Sequence, residues 1–324
     1  MLSTGPRLAP TPRDTVLRDG TASLYHFRRP GTPADGPVPL LLVPSMINRW
    51  YVLDLREGAS LAHAAVQQGF DTWCLDWGIP EDEDRDLEWA EILARLHRMV
   101  RRVKRETGSP KVAILGYCMG ATLSGIYAAL HPGEVAAFVN LAGPFDFSEG
   151  GLLRTLVDEE WFDAETIASA GNVGAQQMQQ GFVALRPTMQ VGKWVGFADR
   201  MTDEKAREAF FALETWAGDN IPFPAAAYRT YITELYQQNL LVQGQHHVGG
   251  RRVDLAAITC PVLTVVAERD TICPPPAALA LNRLCKATTK ESITVPGGHV
   301  GAVVGGKAER VLYPAITGWL RRTQ

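Results

Sequence analysis

Residues 111–132, KVAILGYCMGATLSGIYAALHP, constrain the fold more than any other stretch of the chain. Val112, Ala113, Ile114 and Leu115 form a short continuous apolar run, as expected of a strand buried on both faces of a parallel sheet. Gly116 and Gly120 then bracket Cys118, and a long apolar helix follows, ended by His131-Pro132. A G-x-C-x-G turn between strand and helix is the thiol version of the nucleophile elbow, in which the glycines allow close approach and the central residue is held strained and exposed. Cys118 therefore belongs at a helix N-terminus. There, unpaired N–H groups and the positive end of the dipole favour negative charge, and the thiolate is the reactive form of cysteine. The same short pattern also admits a structural cysteine buried between two glycines.

The flanking sequence supplies a sheet for that strand. Asp19-Gly20 lies between two strand-like runs and signals a hairpin, so residues 1–38 read as an N-terminal tail and hairpin. Pro39 to Val43 is a buried strand, and PSMINRWYVLDL after it is too polar and irregular to continue it. A helix over Ser60 to Gln68, a strand over Asp71 to Asp76, an amphipathic helix over Leu87 to Glu106, the elbow, and a strand over Val135 to Leu141 follow. This alternation predicts a mostly parallel α/β sheet with helices on both faces. The pattern breaks at Gly143. Residues 147–247 are rich in Trp, Phe, Met and Gln without a convincing buried strand, and they read as a helical cap inserted into a core made of 39–146 and 248–324. The core resumes with a strand over Pro261 to Ala267, a helix over Ala277 to Leu284, a strand over Glu291 to Val295 and a last helix ending near Trp319.

Composition narrows the partners. With 46% hydrophobic and 21% charged residues in 324, the chain is of ordinary globular type. A formal charge of −3 offers no bulk field for nucleic acid. The basic run Arg98, Arg101, Arg102, Lys104 and Arg105 reads as the solvated face of a helix, with phosphate binding as the other reading. No stretch has the length of a transmembrane helix, and the first residues lack the apolar core of a signal peptide. Five cysteines without metal-ligand spacing fit free thiols in a reducing compartment, so a cytoplasmic location is expected.

Two further residues join Cys118. Asp270 follows the strand ending at Ala267, in AERDTICPPP, and His299 follows the strand ending at Val295, in PGGHVG. Both therefore stand at carboxyl ends of strands, where open α/β sheets bind ligands. The chain order nucleophile, acid, histidine is that of the α/β-hydrolase fold. Taken singly, Asp270 could cap a turn and His299 could be a satisfied loop histidine. Asp76 and Asp146 also follow strands and are rival acids, whereas His246-His247 reads as a polar turn. Backbone N–H groups of Met119, the residue after the nucleophile, and of the Ser45-Met46 loop, with Met46 as donor, are the expected oxyanion hole. Acyl exchange onto a thiol keeps the acyl group activated for an alcohol, which favours transfer over hydrolysis.

GYCMG, VPSMINRWYVLDL, LDWGIPEDEDRDL, AERDTICPP and PGGHVG together resemble the polyhydroxyalkanoate synthases, and the DWG-x-P form is similar to their two-subunit class III catalytic chain. RPTMQVGKWVGF, YRTYITELYQQNLLVQG and VGGRRVDLAAITCPVL extend the likeness from about Pro39 to the C-terminus. Ala121 departs from it, standing where these synthases usually carry a second glycine. The resemblance implies Cys118 as nucleophile, His299 as its activator, and Asp270 as the residue helping His299 activate an incoming hydroxyl. It also implies 3-hydroxyacyl-CoA and a growing polyester chain as substrates, and no cofactor, coenzyme A thioester being substrate. A helical partner subunit of the PhaE type, a homodimer and a place at polyester granules are further implications. Two other readings remain: a cysteine hydrolase similar to dienelactone hydrolases, and a catalytically silent synthase-like subunit.

Overall fold

The computed structural model describes residues 6–27, 38–184, 194, 197 and 202–323. Short apolar runs become the middle of one sheet. Its strands are β1 (Arg13–Asp19), β2 (Ala22–Phe27), β3 (Leu40–Val43), β6 (Thr72–Asp76), β7 (Val112–Tyr117), β8 (Val135–Leu141), β11 (Val262–Ala267) and β12 (Lys290–Val295). Short hairpins outside it supply β4 (Asp54–Arg56) with β5 (Ala59–Ser60), and β9 (His247–Val248) with β10 (Arg251–Arg252). The eight run in the order β1-β2-β6-β3-β7-β8-β11-β12, parallel from β6 to β12 and antiparallel at β1 and β2. The hairpin read from Asp19-Gly20 is thus no appendage to the core. Ser23 to His26 pair with Asp76 to Trp73, which makes it the antiparallel edge of the same sheet.

Period-two alternation divides the core into two layers. Val112 and Ile114 of β7 pack with α2 (Trp89–Thr107) and α3 (Met119–Leu130), while Ala113, Leu115 and Tyr117 pack with α1 (Leu61–Gln67) and the C-terminal helix Leu312–Thr323. From Met119 to Ala129 every residue of α3 is buried, as its all-round apolar sequence requires. The basic run of α2 does lie on a solvated face, with Arg98 paired to Asp19 and Glu91 and Lys104 to Glu134. The last helical region is two helices, His299–Val304 and Leu312–Thr323, rather than one.

The irregular segment after β3 is more ordered than its sequence suggests. Trp50–Leu53 form a buried 3-10 turn that runs into the β4–β5 hairpin. At its centre Asp54 is fully buried, accepting from the Thr11 backbone N–H at 3.1 Å, the Thr11 hydroxyl at 2.6 Å and the Ser60 hydroxyl at 2.6 Å. Burial still pushes the Asp54 carboxyl up, although these donors oppose it. The donors also tie the Pro-rich N-terminal tail to the core.

Residues 147–247 leave the sheet after β8. Their described elements include helices Gly151–Leu156, Ala164–Ser169, Ala175–Ala184, Glu204–Gly218 and Ala225–Thr230, followed by a π-helix over Tyr231–Gln237. Met189, the Phe182 side chain and most of RPTMQVGKWVGF lie outside the described residues. His246 corrects the expectation of a polar turn: it is fully buried, and its Nδ1 lies 2.8 Å from Glu234 Oε2 with Trp89 edge-on to its ring. A paired histidine looks polar in sequence, but a carboxylate twelve residues upstream satisfies one of its nitrogens.

Asp54→Ala leaves three buried donors without their acceptor, so it should lower the unfolding free energy by about 2–4 kcal/mol. Asp54→Asn should lose less. Urea denaturation of the three proteins measures both losses, and an unchanged Asp54→Ala would mean that water replaces the carboxylate.

Candidate active site

The elbow is built by steric exclusion. A Cβ at Gly120 would stand 2.3 Å from the Val43 carbonyl oxygen and 2.4 Å from that of Pro44, and one at Gly116 only 2.3 Å from Ala121 Cα. Only glycine lets α3 start that close to the ends of β3 and β7. Ala121, the departure noted in the sequence, is thus part of the contact with Gly116. Cys118, caught between, adopts φ 56° and ψ −130°, a conformation that costs a non-glycine residue about 1–3 kcal/mol. It is held there from both sides: its N–H donates to the Leu141 carbonyl at 2.9 Å, and its own carbonyl accepts from Ala121 N–H at 2.9 Å. The side chain is half-buried.

Asp270 and His299 converge from the loops after β11 and β12. His299 Nδ1 lies 2.7 Å from Asp270 Oδ2, while Asp270 Oδ1 accepts from the backbone N–H groups of Ile272 and Cys273, each at 2.9 Å. Both residues are buried. The bond at Nδ1 leaves Nε2 directed at the elbow, buried and without a closed hydrogen bond among the described residues. Burial pushes the His299 imidazolium down, but its interactions with Cys118 and then Asp270 outweigh it, and the result is a pKa raised to about 10. Tyr117, one residue before Cys118, stacks on the His299 ring at 5.2 Å between centroids. Nothing in the sequence marked Tyr117, because its partner is 182 positions away.

The rival residues are engaged elsewhere. Asp76 accepts from the Tyr25 hydroxyl and the Gly78 N–H, each at 2.9 Å, and Asp146 from Ser148 and Asn239. His26 pairs with Asp71, and His97 stacks with His131. Met119 opens α3, so its N–H precedes the intrahelical ladder. Met46 is buried in the loop that the Gly120 contact brings beside the elbow, and Trp77 Nε1 steadies that loop by donating to the Pro44 carbonyl at 3.0 Å. Among the described residues no three His, Cys, Asp or Glu side chains converge as metal ligands.

Two cavities meet at Cys118 and Ile272. The first, of about 210 Å³, is walled by Ile47 and by Leu153, Phe162, Met178, Ile232 and Tyr236 of the inserted segment. The second, of about 150 Å³, is walled by Asn48, Tyr117, Gln179, Trp216, Asn220 and His299. Tyr231 and Tyr236, on the π-helix, also line the first cavity, and burial raises both phenols. Of the large apolar residues that suggested a covering layer, Phe162 and Met178 line the cavity at Cys118, but Trp161, Trp194 and Phe211 are exposed.

Comparison with known proteins agrees with the fold. The family described as alpha/beta hydrolase fold matches residues 38–305, and that described as the N-terminus of poly-beta-hydroxybutyrate polymerase (PhaC) matches residues 1–65. The poly(3-hydroxyalkanoate) polymerase subunit PhaC of Allochromatium vinosum is 34% identical over 314 residues, 96% of this chain and 88% of that protein. The subunit of the same name from Synechocystis sp. is 33% identical over 97% of this chain and 85% of its own length. Among solved structures, a soluble variant of monoglyceride lipase from Saccharomyces cerevisiae covers all of this chain with a TM-score of 0.61 at 14% identity. The thioesterase domain from the curacin biosynthetic pathway covers 94% with a TM-score of 0.52 at 13% identity, so both share the fold.

A raised histidine pKa has a definite sign in a pH series. The His299 contribution to stability is complete below its ordinary pKa of 6.5 and is lost as pH rises through about 10. Asp270→Asn removes one of the charges that raise it, so the imidazolium should titrate at lower pH and the loss of stability should begin sooner. NMR titration of the His299 ring reads the shift directly; an unmoved titration in Asp270→Asn would deny the electrostatic coupling.

Proposed function

The chain belongs to the PhaC family of poly(3-hydroxyalkanoate) polymerases on the alpha/beta hydrolase fold, and from that premise we propose that it polymerises 3-hydroxyacyl-CoA thioesters through a thioester on Cys118. The observation that carries the reading is the buried Asp270–His299 pair directed at a strained cysteine at a helix N-terminus. As an acyltransferase, the protein uses this set in two half-reactions. In the first, the proton of the pair rests on His299 Nε2, in keeping with its raised pKa, and the Cys118 thiolate attacks the thioester carbonyl. The new C–S bond forms as the C–S bond to coenzyme A breaks, and the proton passes from His299 to the leaving thiolate. In the second, His299 takes the proton of a 3-hydroxyl. Its oxygen attacks the acyl-cysteine, a C–O bond replaces the C–S bond, and Cys118 leaves as the thiolate beside protonated His299.

Each group has a defined burden. Asp270 fixes the tautomer of His299 and stabilises the imidazolium, by the logic of a triad. Met119 and Met46 N–H groups are the proposed donors to the oxyanion of each tetrahedral intermediate. No cofactor enters this scheme, since coenzyme A arrives as part of the substrate. The relatives are named as subunits, which supports a helical partner of the PhaE type; a homodimer is the other assembly to test, by light scattering with and without that partner. Among the described residues no helix is long and apolar enough to cross a membrane, and we place the enzyme in the cytoplasm, at the surface of its polyester product.

The deciding experiment follows labelled 3-hydroxybutyryl-CoA into acyl-enzyme, free coenzyme A and polymer. Wild-type protein should give all three. Cys118→Ala should lose the label altogether, and CoA release should fall by at least about a thousandfold. His299→Ala should likewise fail to acylate, because an unactivated thiol is mostly protonated near neutral pH. Asp270→Asn should still accept one acyl group while chain growth slows. Equal loss of acylation in Asp270→Asn and His299→Ala would restrict Asp270 to orienting the histidine, and free 3-hydroxybutyrate in place of polymer would make the protein a hydrolase.

A further inference from the structure

We infer that Cys118 separates two chambers with different cargo: the apolar cavity holds the acyl group, and the carboxamide-lined cavity on the His299 side holds the amide arm of the departing thiol. The inference rests on the acyl-transfer reading above and adds the orientation of the substrate. A thioester carbonyl at Cys118 Sγ carries two substituents, the acyl chain and the leaving sulfur. The proton for that sulfur comes from His299, which lines the second cavity and is not among the walls of the first. Geometry therefore puts the leaving sulfur in the second cavity. By microscopic reversibility the attacking hydroxyl, which gives its proton to the same nitrogen, enters from that side too.

The walls agree with that assignment. Asn48, Asn220 and Gln179 form a chain of carboxamides across the second cavity: Asn48 Nδ2 donates to Asn220 Oδ1 at 2.8 Å, and Asn220 Nδ2 donates to Gln179 Oε1 and to the Ala217 carbonyl, the latter at 2.9 Å. The thiol arm of coenzyme A carries secondary amides, each with one donor and one acceptor. Such a group can exchange with side-chain amides bond for bond, so its desolvation is compensated. The chain also joins the loop after β3 to helix Ala175–Ala184. The first cavity has no comparable chain of carboxamides. Its walls are chiefly apolar, with Gln177 and the hydroxyls of Tyr228, Tyr231 and Tyr236 as its polar side-chain groups, and about 210 Å³ suits an acyl group of a few carbons.

The test compares three donors of one acyl group: 3-hydroxybutyryl-CoA, its N-acetylcysteamine thioester with one amide, and its S-ethyl thioester with none. Gln179→Ala and Asn220→Ala should raise KM for the CoA ester about five- to tenfold, raise it less for the N-acetylcysteamine ester, and leave the ethyl ester unchanged, with kcat little altered throughout. Met178→Ala, in the apolar cavity, should change the preference between short and longer acyl chains equally for all three thiols. Gln179→Ala tests the site without breaking the Asn48–Asn220 bridge, so a folding defect in Asn220→Ala leaves the question open to the other variant. A uniform KM effect on all three donors in Gln179→Ala, or a thiol-selective effect of Met178→Ala, overturns the assignment. Failure of wild-type Cys118 to take label from any of the three removes the acyl-transfer reading itself, and the chamber assignment with it.

Discussion

The site depends on a contact between two pieces of backbone. Gly120, in the first turn of α3, lies against the carbonyls of Val43 and Pro44, where no side chain fits. Because the helix begins that near to β3, Cys118 must turn through a positive φ to connect β7 to it. The same contact fixes where the chain goes after β3, so Ile47 reaches one cavity beside the cysteine and Asn48 the other. Strain at one residue is affordable because α3 behind it is buried from Met119 to Ala129, and each buried side chain contributes about 1.5–3 kcal/mol if large and apolar.

Two buried carboxylates show how similar burial serves different ends. Asp54 and Asp270 each receive three donors, and each is out of water. An unpaired charge in such a place would cost several kcal/mol, so the donors are obligatory in both. Around Asp54 they are hydroxyls and an amide, which hold one geometry and titrate nowhere near neutrality; the result is a strut. Around Asp270 one donor is an imidazole whose second nitrogen faces Cys118, and the charge is passed on as a raised His299 pKa. The difference lies in the partner's chemistry, and Tyr117 holds that partner in place by stacking.

Much of this was legible in the chain, for a physical reason. β3, β7, β8 and β11 are largely buried and read as apolar runs, and Cys118 and Asp270 each follow such a run by a few residues, whereas His299 follows the edge strand β12, where exposed and buried positions alternate. What stayed hidden depends on partners far away in sequence. Asn48 and Asn220 are 172 positions apart, and neither has local context to mark it. His246 looked solvated beside His247, and only Glu234 and Trp89 explain its burial. Trp50–Leu53 lacks any period because its residues are buried as a turn, with no open face to leave a pattern. The hairpin at Asp19-Gly20 was visible, but its pairing with β6 was not, since a hairpin signal is local and strand neighbours are not.

The relation to lipases and thioesterases of the same fold turns on water. A serine or cysteine elbow with a His–Asp pair forms an acyl-enzyme in either case, and the outcome depends on which oxygen next reaches the carbonyl. In this chain the space on one side of Cys118 is walled largely by apolar side chains, with three tyrosines and Gln177 as its polar groups, so it offers water fewer partners than bulk solvent does. The opposite side, which His299 lines, carries carboxamides already bonded to one another. A single water gains little by breaking that chain, whereas an amide-bearing substrate replaces each bond it breaks. On the proposed chamber assignment, selectivity for a hydroxyacyl acceptor over water comes from this exchange of amide bonds and requires no further catalytic group.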